Sequence, residues 1–141
     1  MRQVRRDFGQ GMVEFALILP LILLIILAFI ELARIVYFKT ALYDAVREGA
    51  RYAIIQQNPC TSAARRAEIR QKVLDYAVGV PLTAAAVTVT CDTSVVDKYK
   101  VTVGAFSTVT PMLPFMAPML GAAGTLNVKS TMQMTPYGVR P

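Results

Sequence analysis

One stretch limits what this chain can become: Phe15 to Ile30, FALILPLILLIILAFI, sixteen residues without a charge between Glu14 and Glu31. Thirteen of the sixteen are Leu, Ile or Phe, the others being Ala16, Pro20 and Ala28. Leu, Ile and Phe each favour a bilayer centre by roughly 0.3–0.6 kcal/mol. The sum favours the membrane even with a proline inside. Residues 1–9, before the stretch, read as a short basic leader. The residues just after it read as a stalk, which with the apolar run makes a helix over 10–57. Residues 58–141 then read as an extracytoplasmic head.

Composition sets the function classes. The 55% hydrophobic content exceeds the usual soluble level of about 45–50%, and the apolar run supplies much of the excess. The net charge is +6, and the leader takes three positives and one negative of it, leaving +4. No Lys/Arg stripe is interleaved with aromatics, so no nucleic-acid partner is expected. The chain has no histidine, the commonest general base and the commonest metal ligand. No phosphate loop, metal-ligand spacing or nucleophilic triad is present. Asp92 and Asp97 read as solvated turn carboxylates. No catalytic residue, metal or cofactor is therefore expected.

Three leader arginines, Arg2, Arg5 and Arg6, lie close before the apolar run. The positive-inside rule holds such residues in the cytoplasm, so the N-terminus is expected inside and the head outside. Cys60 and Cys91 would then meet an oxidising compartment, where a disulfide is expected; two buried thiols are the alternative. The bond would close a loop of roughly 30 residues, worth roughly 3 kcal/mol in the chain-entropy picture.

The junction Gly9-Gln10-Gly11-Met12-Val13-Glu14-Phe15 ends the leader with a glycine and places a glutamate fifth after it. Sixteen helical residues span about 24 Å, short of the roughly 30 Å hydrocarbon core. A full span draws Met12, Val13 and Glu14 towards lipid. A carboxylate there costs a few kcal/mol and is usually paired; otherwise it snorkels to the headgroups. A signal peptide cut after the run is a poorer reading. Small-residue sites are lacking, with Ile26 two before Ala28 and Glu31 two before Ala33.

The helix is expected to continue past Ile30. Glu31–Arg34, Asp44–Arg47 and Glu48–Arg51 are opposite charges three apart, and no proline intervenes between Pro20 and Pro59. Pro20 itself removes one backbone bond. Ala41, Ala45, Gly49 and Ala53 recur every fourth residue as a strip that permits close helix packing. The strip packs on the protein's own head, on neighbouring subunits or, through the upper and lower parts of the stalk, on both.

The junction resembles type IV prepilins of the tight-adherence (Tad) branch. Glu14-Phe15-Ala16-Leu17-Ile18-Leu19-Pro20 and Ala45-Val46-Arg47-Glu48-Gly49-Ala50-Arg51-Tyr52-Ala53 resemble the start and end of the TadE-like helix, over roughly residues 9–53. The resemblance implies a pilin-like subunit, a minor pilin or pseudopilin, in the bacterial cytoplasmic membrane or in an extracellular pilus. It implies cleavage by a prepilin peptidase between Gly9 and Gln10. It also implies pairing of Glu14 with the new α-amine of a neighbouring subunit. The expected partners are the membrane, that peptidase, other pilin subunits and the assembly machinery. It assigns no task to Arg47 or Arg51. A bitopic envelope protein whose head binds a partner is the alternative.

In the head, Thr61 or Ser62 can cap a second helix over 63–78, with Ile69, Val73, Tyr76 and Ala77 on one face and a Glu68–Lys72 pair. Gly79 and Pro81 end it. Period-2 alternation marks strands at 87–91, 99–105 and 126–134, with 92–98 as a connection. The fold class expected is α+β: a long transmembrane and stalk helix, a second helix and a small antiparallel sheet. PMLPFMAPMLG, residues 111–121, is either a loop folded over the core or an exposed adaptable patch. The tail from Pro136 is expected to fray.

Overall fold

The computed structural model describes residues 8–56, 62–95, 98–113, 118 and 126–135. The tail from Pro136 and most of 111–121 lie outside them; of that segment Met112 is 70% exposed and Leu113 half-buried. The element order is α1 (Phe8–Ile55), α2 (Ala63–Tyr76), a single 3-10 turn (Ala84–Ala86), then β1 (Val87–Val95), β2 (Lys98–Val109) and β3 (Leu126–Met134). The expected α+β class is what the chain adopts. It divides into two compact units, Met1–Arg34 and Ile35–Pro141.

The first unit holds the apolar part of α1. The helix runs through Pro20 without a break in its assignment. It begins at Phe8, so the backbone at Gly9 and Gln10 is already helical. Glu31 is buried at 2% exposure and bonds the Arg34 guanidinium at 2.6 Å.

The second unit takes the upper part of α1 together with α2 and the sheet. Strand order is β1-β2-β3, antiparallel throughout. Alternation decides which face is covered. Val87, Val89, Val101, Val103, Ala105 and Val128 are buried, while Thr88, Thr90, Asn127 and Lys129 between them are exposed. Leu42, Ala45, Val46, Ala50 and Ala53 of α1 and Ile69, Val73 and Ala77 at α2 complete that core. Ser130 lies in the apolar row of β3, buried, its Oγ without a hydrogen-bond partner among the described residues.

The hairpin is longer than the alternation suggests. β1 continues to Val95 and β2 starts at Lys98, so pairing enters the segment expected as a connection, with a register shift between Asp92 and Val95. Such a shift lets strands continue where the apolar pattern has lapsed.

α2 stops at Tyr76, two residues before the expected end. Of the two possible caps Ser62 is the one seen: its Oγ accepts from the Arg65 N–H at 3.2 Å. Ala77 caps the helix, and in the turn that follows, closed by the Val80 N–H on the Ala77 carbonyl, Gly79 has φ +75°, a backbone that costs glycine nothing. Beside it the Tyr37 hydroxyl donates to the Val78 carbonyl at 3.2 Å. The buried Ser107 hydroxyl donates to the Pro81 carbonyl at 2.7 Å and ties this turn to β2. Two readings of α2 are corrected. Tyr76 is 53% exposed and not part of the covered face. Lys72 does not pair with Glu68; its ammonium lies 5.7 Å from the centre of the Tyr52 ring.

Cys91 is half-buried on β1 against the core. Cys60, the chain's other cysteine, lies outside the described residues.

Candidate functional site

The residues singled out for assembly all lie on α1. At its start, Gln10 and Glu14 are one turn apart and both exposed. The Gln10 side-chain amide donates to a Glu14 carboxylate oxygen at 3.4 Å. This long, solvent-exposed bond holds the carboxylate weakly, so a better donor can replace it. Gly11 stands beside Gln10, and no atom lies within 4 Å of where a Cβ on it would be. Packing therefore does not demand this glycine. Glycines at 9 and 11 each weaken the helix by about 1 kcal/mol relative to alanine.

Beyond Glu14 the apolar side chains project on every side. Leu17, Leu21 and Phe29 are each at least 60% exposed. A helix that is apolar all round belongs in a protein core or in lipid. Among the described residues this is the one helix long and apolar enough to cross a membrane, and none of its most apolar window is buried. Its length and composition suffice to cross a membrane.

Higher on α1 the small-residue strip meets the head. Ala45, Gly49 and Ala53 are buried and Ala41 is half-buried. A Cβ added at Gly49 would sit 2.3 Å from Cγ2 of Val73 on α2 and 3.7 Å from Cγ1 of Val103 on β2. At Gly49 the strip is thus filled by the protein's own head. Ala50, which the every-fourth count passes over, is equally buried; counting i, i+1, i+4 and i+5 together would have found it.

Among the charge pairs expected along the helix, Glu31–Arg34 is closed and Glu48–Arg51 is loose at 3.8 Å. Asp44 and Arg47, both exposed, form no ion pair with a described residue. Arg51 keeps 66% of its side chain in solvent.

Comparison with known proteins adds to this geometry. No curated protein and no solved structure matches the chain. One family model does, described as TadE-like protein, over residues 9–51. The match takes in the glycine junction, Glu14, the apolar run and the upper helix as far as Arg51, and it points to a pilin-like protein associated with a Tad pilus. The match covers about a third of the chain and nearly all of α1, and over that span the chain is similar to TadE-like proteins.

Proposed function

We propose that the chain is a structural subunit, a minor pilin or pseudopilin, of a Tad or other type IV-type pilus. In this reading residues 1–9 are a cytoplasmic leader that a prepilin peptidase removes between Gly9 and Gln10. Residues 10–57 anchor the mature subunit in the inner membrane, and residues 58–141 stand outside. Cys60 is the disulfide partner of Cys91. Glu14 neutralises the α-amine of Gln10 in a neighbouring subunit as helices pass from lipid into a bundle.

The observation that carries the proposal is the coincidence at one end of α1. A glycine junction, a carboxylate four residues past Gln10 and an uncovered apolar run fall inside the match to TadE-like proteins. An uncovered carboxylate next to a membrane anchor is costly without a partner. An α-amine generated at Gln10 is a stronger donor than the side-chain amide that holds Glu14 at 3.4 Å. The weak first turn around Gly9 and Gly11 also lets the helical backbone open for the peptidase at little cost.

Intact mass measurement on protein taken from the native membrane tests the reading. A mature chain beginning at Gln10 is expected. An unprocessed chain, or one starting after the apolar run, contradicts it and favours a plain anchor or a signal peptide. Glu14→Ala is expected to leave cleavage unchanged and to abolish co-purification with assembled pili. Normal assembly by Glu14→Ala would remove the pairing step.

A further inference from the structure

The second unit carries an open cleft where the end of α1 meets α2. It encloses about 260 Å³ and is lined by Glu48, Arg51, Tyr52, Ile55, Lys72 and Tyr76. The lining holds two cations against one carboxylate. Arg51 reaches into solvent, and its contact with Glu48, at 3.8 Å, is too long for a hydrogen bond. Lys72 turns away from Glu68, one helical turn back, and lies over the Tyr52 ring. Tyr76 exposes half its surface at the rim. Tyr52 also packs against the core, whereas Arg51, Lys72 and Tyr76 belong neither to the core nor to the pairing at Glu14.

We propose that this cleft binds a sugar acid, a hexose ring carrying a carboxylate, as a unit of an acidic polysaccharide. Charge complementarity decides the anion. Arg51 and Lys72 supply donors that a carboxylate accepts, and the guanidinium fork fits it bidentately. Glu48 decides the rest of the ligand. An acceptor-only carboxylate in the lining repels a simple anion unless the ligand also brings donors, and ring hydroxyls are such donors. Tyr76, half exposed at the rim, offers a flat apolar face with a hydroxyl end, suited to a ring with one apolar side, whereas the Tyr52 ring holds the Lys72 ammonium in place. The volume lies just below the range of drug-sized pockets, about 300–1,000 Å³, and suits one sugar ring. Access to such a polymer depends on the outward orientation proposed for the head; the binding chemistry does not.

The test uses the full chain in detergent micelles, with binding followed by NMR titration. Glucuronate and polygalacturonate are expected to bind saturably and to move the signals of Arg51, Lys72 and Tyr76. Glucose and acetate are each expected to bind at least about tenfold more weakly, because each keeps only half of the recognition. Arg51→Gln is expected to weaken glucuronate about tenfold, whereas Arg66→Gln, an exposed cation elsewhere on α2, leaves it unchanged. Thermal unfolding of each variant confirms that the exposed substitutions leave the fold intact. Absence of saturable binding overturns the proposal. So does equal binding of polyaspartate, which would make the cleft a site for acidic protein segments, or an Arg51→Gln variant that binds normally. Leader processing measured on the same preparation reports on the pilin reading separately.

Discussion

Replacing Gly49 by alanine tests whether the small-residue strip belongs to the head. In an exposed helix the change would stabilise by about 0.8–1.0 kcal/mol, because alanine restricts the unfolded chain and favours the helix. Here the new Cβ would lie 2.3 Å from Val73 Cγ2. Carbon atoms need about 3.5–4.0 Å, so one side must move by more than about 1 Å. Val73 is fully buried, and its β-branched side chain has one strongly preferred rotamer in a helix. Overpacking of this kind costs about 1–3 kcal/mol, and the stiffness of Val73 places it at the upper end. Set against the propensity gain, the net loss is about 1–2 kcal/mol. At about 4 °C per kcal/mol for a domain near this size, the midpoint falls by about 4–8 °C. Thermal unfolding of the full chain in detergent, followed by circular dichroism, measures it. A second background fixes the cause. Val73→Ala removes the clashing methyl and is itself destabilising by roughly 2 kcal/mol. In that background Gly49→Ala should reverse sign and stabilise by about 1 kcal/mol. If Gly49→Ala stabilises the unmodified chain, the glycine is not held against the head and the reasoning fails.

Two smaller changes address the head directly. Ser62→Ala removes the hydroxyl that accepts from the Arg65 N–H and is expected to destabilise by about 1 kcal/mol, seen as a lower denaturation midpoint with an unchanged slope. Ser130→Ala deletes a buried hydroxyl that has no hydrogen-bond partner among the described residues and is expected to raise stability by up to about 1 kcal/mol; a loss of stability would mean that the hydroxyl is bonded in solution.

Much of this architecture was legible because each part obeys a short-range rule. The apolar run, the opposite charges three apart and the absence of proline between Pro20 and Pro59 describe one long helix, and α1 is that helix. Strict alternation in 87–91 and 99–105, and a looser one in 126–134, marked the strands of a meander. What escaped the sequence depends on partners distant along the chain. Nothing near Lys72 says that it will choose the Tyr52 ring over Glu68. The strands extend through Asp92–Val95 because pairing with β2 continues past the end of the apolar pattern. Tyr76 has the right helical phase for the core, yet α2 ends there and the ring stays half exposed. The two open readings of the strip could be separated only by seeing Val73 against Gly49.

That contact also narrows how subunits can join. Small residues on a membrane-proximal helix invite close packing by another helix, and by sequence alone Ala45, Gly49 and Ala53 would offer a pilus such a seam. These residues are buried, and Gly49 is closed off by the head. A neighbouring helix cannot reach it without displacing α2. Assembly, if it takes the proposed route, must then draw on the uncovered parts of α1: the apolar residues from Phe15 to Ile30, and on the upper helix the exposed Val36, Tyr43, Asp44 and Arg47. Apolar contacts among Leu, Ile and Phe are nearly indifferent to register, since lipid tails satisfy them equally well. Register must come from the polar groups beside them, and within residues 10–30 Glu14 is the only charged side chain. Truncating apolar residues one at a time should therefore weaken assembly gradually, while Glu14→Ala should end it in one step. The two dose-responses, read as pilus yield from the same cells, would have to coincide for this account of register to be wrong.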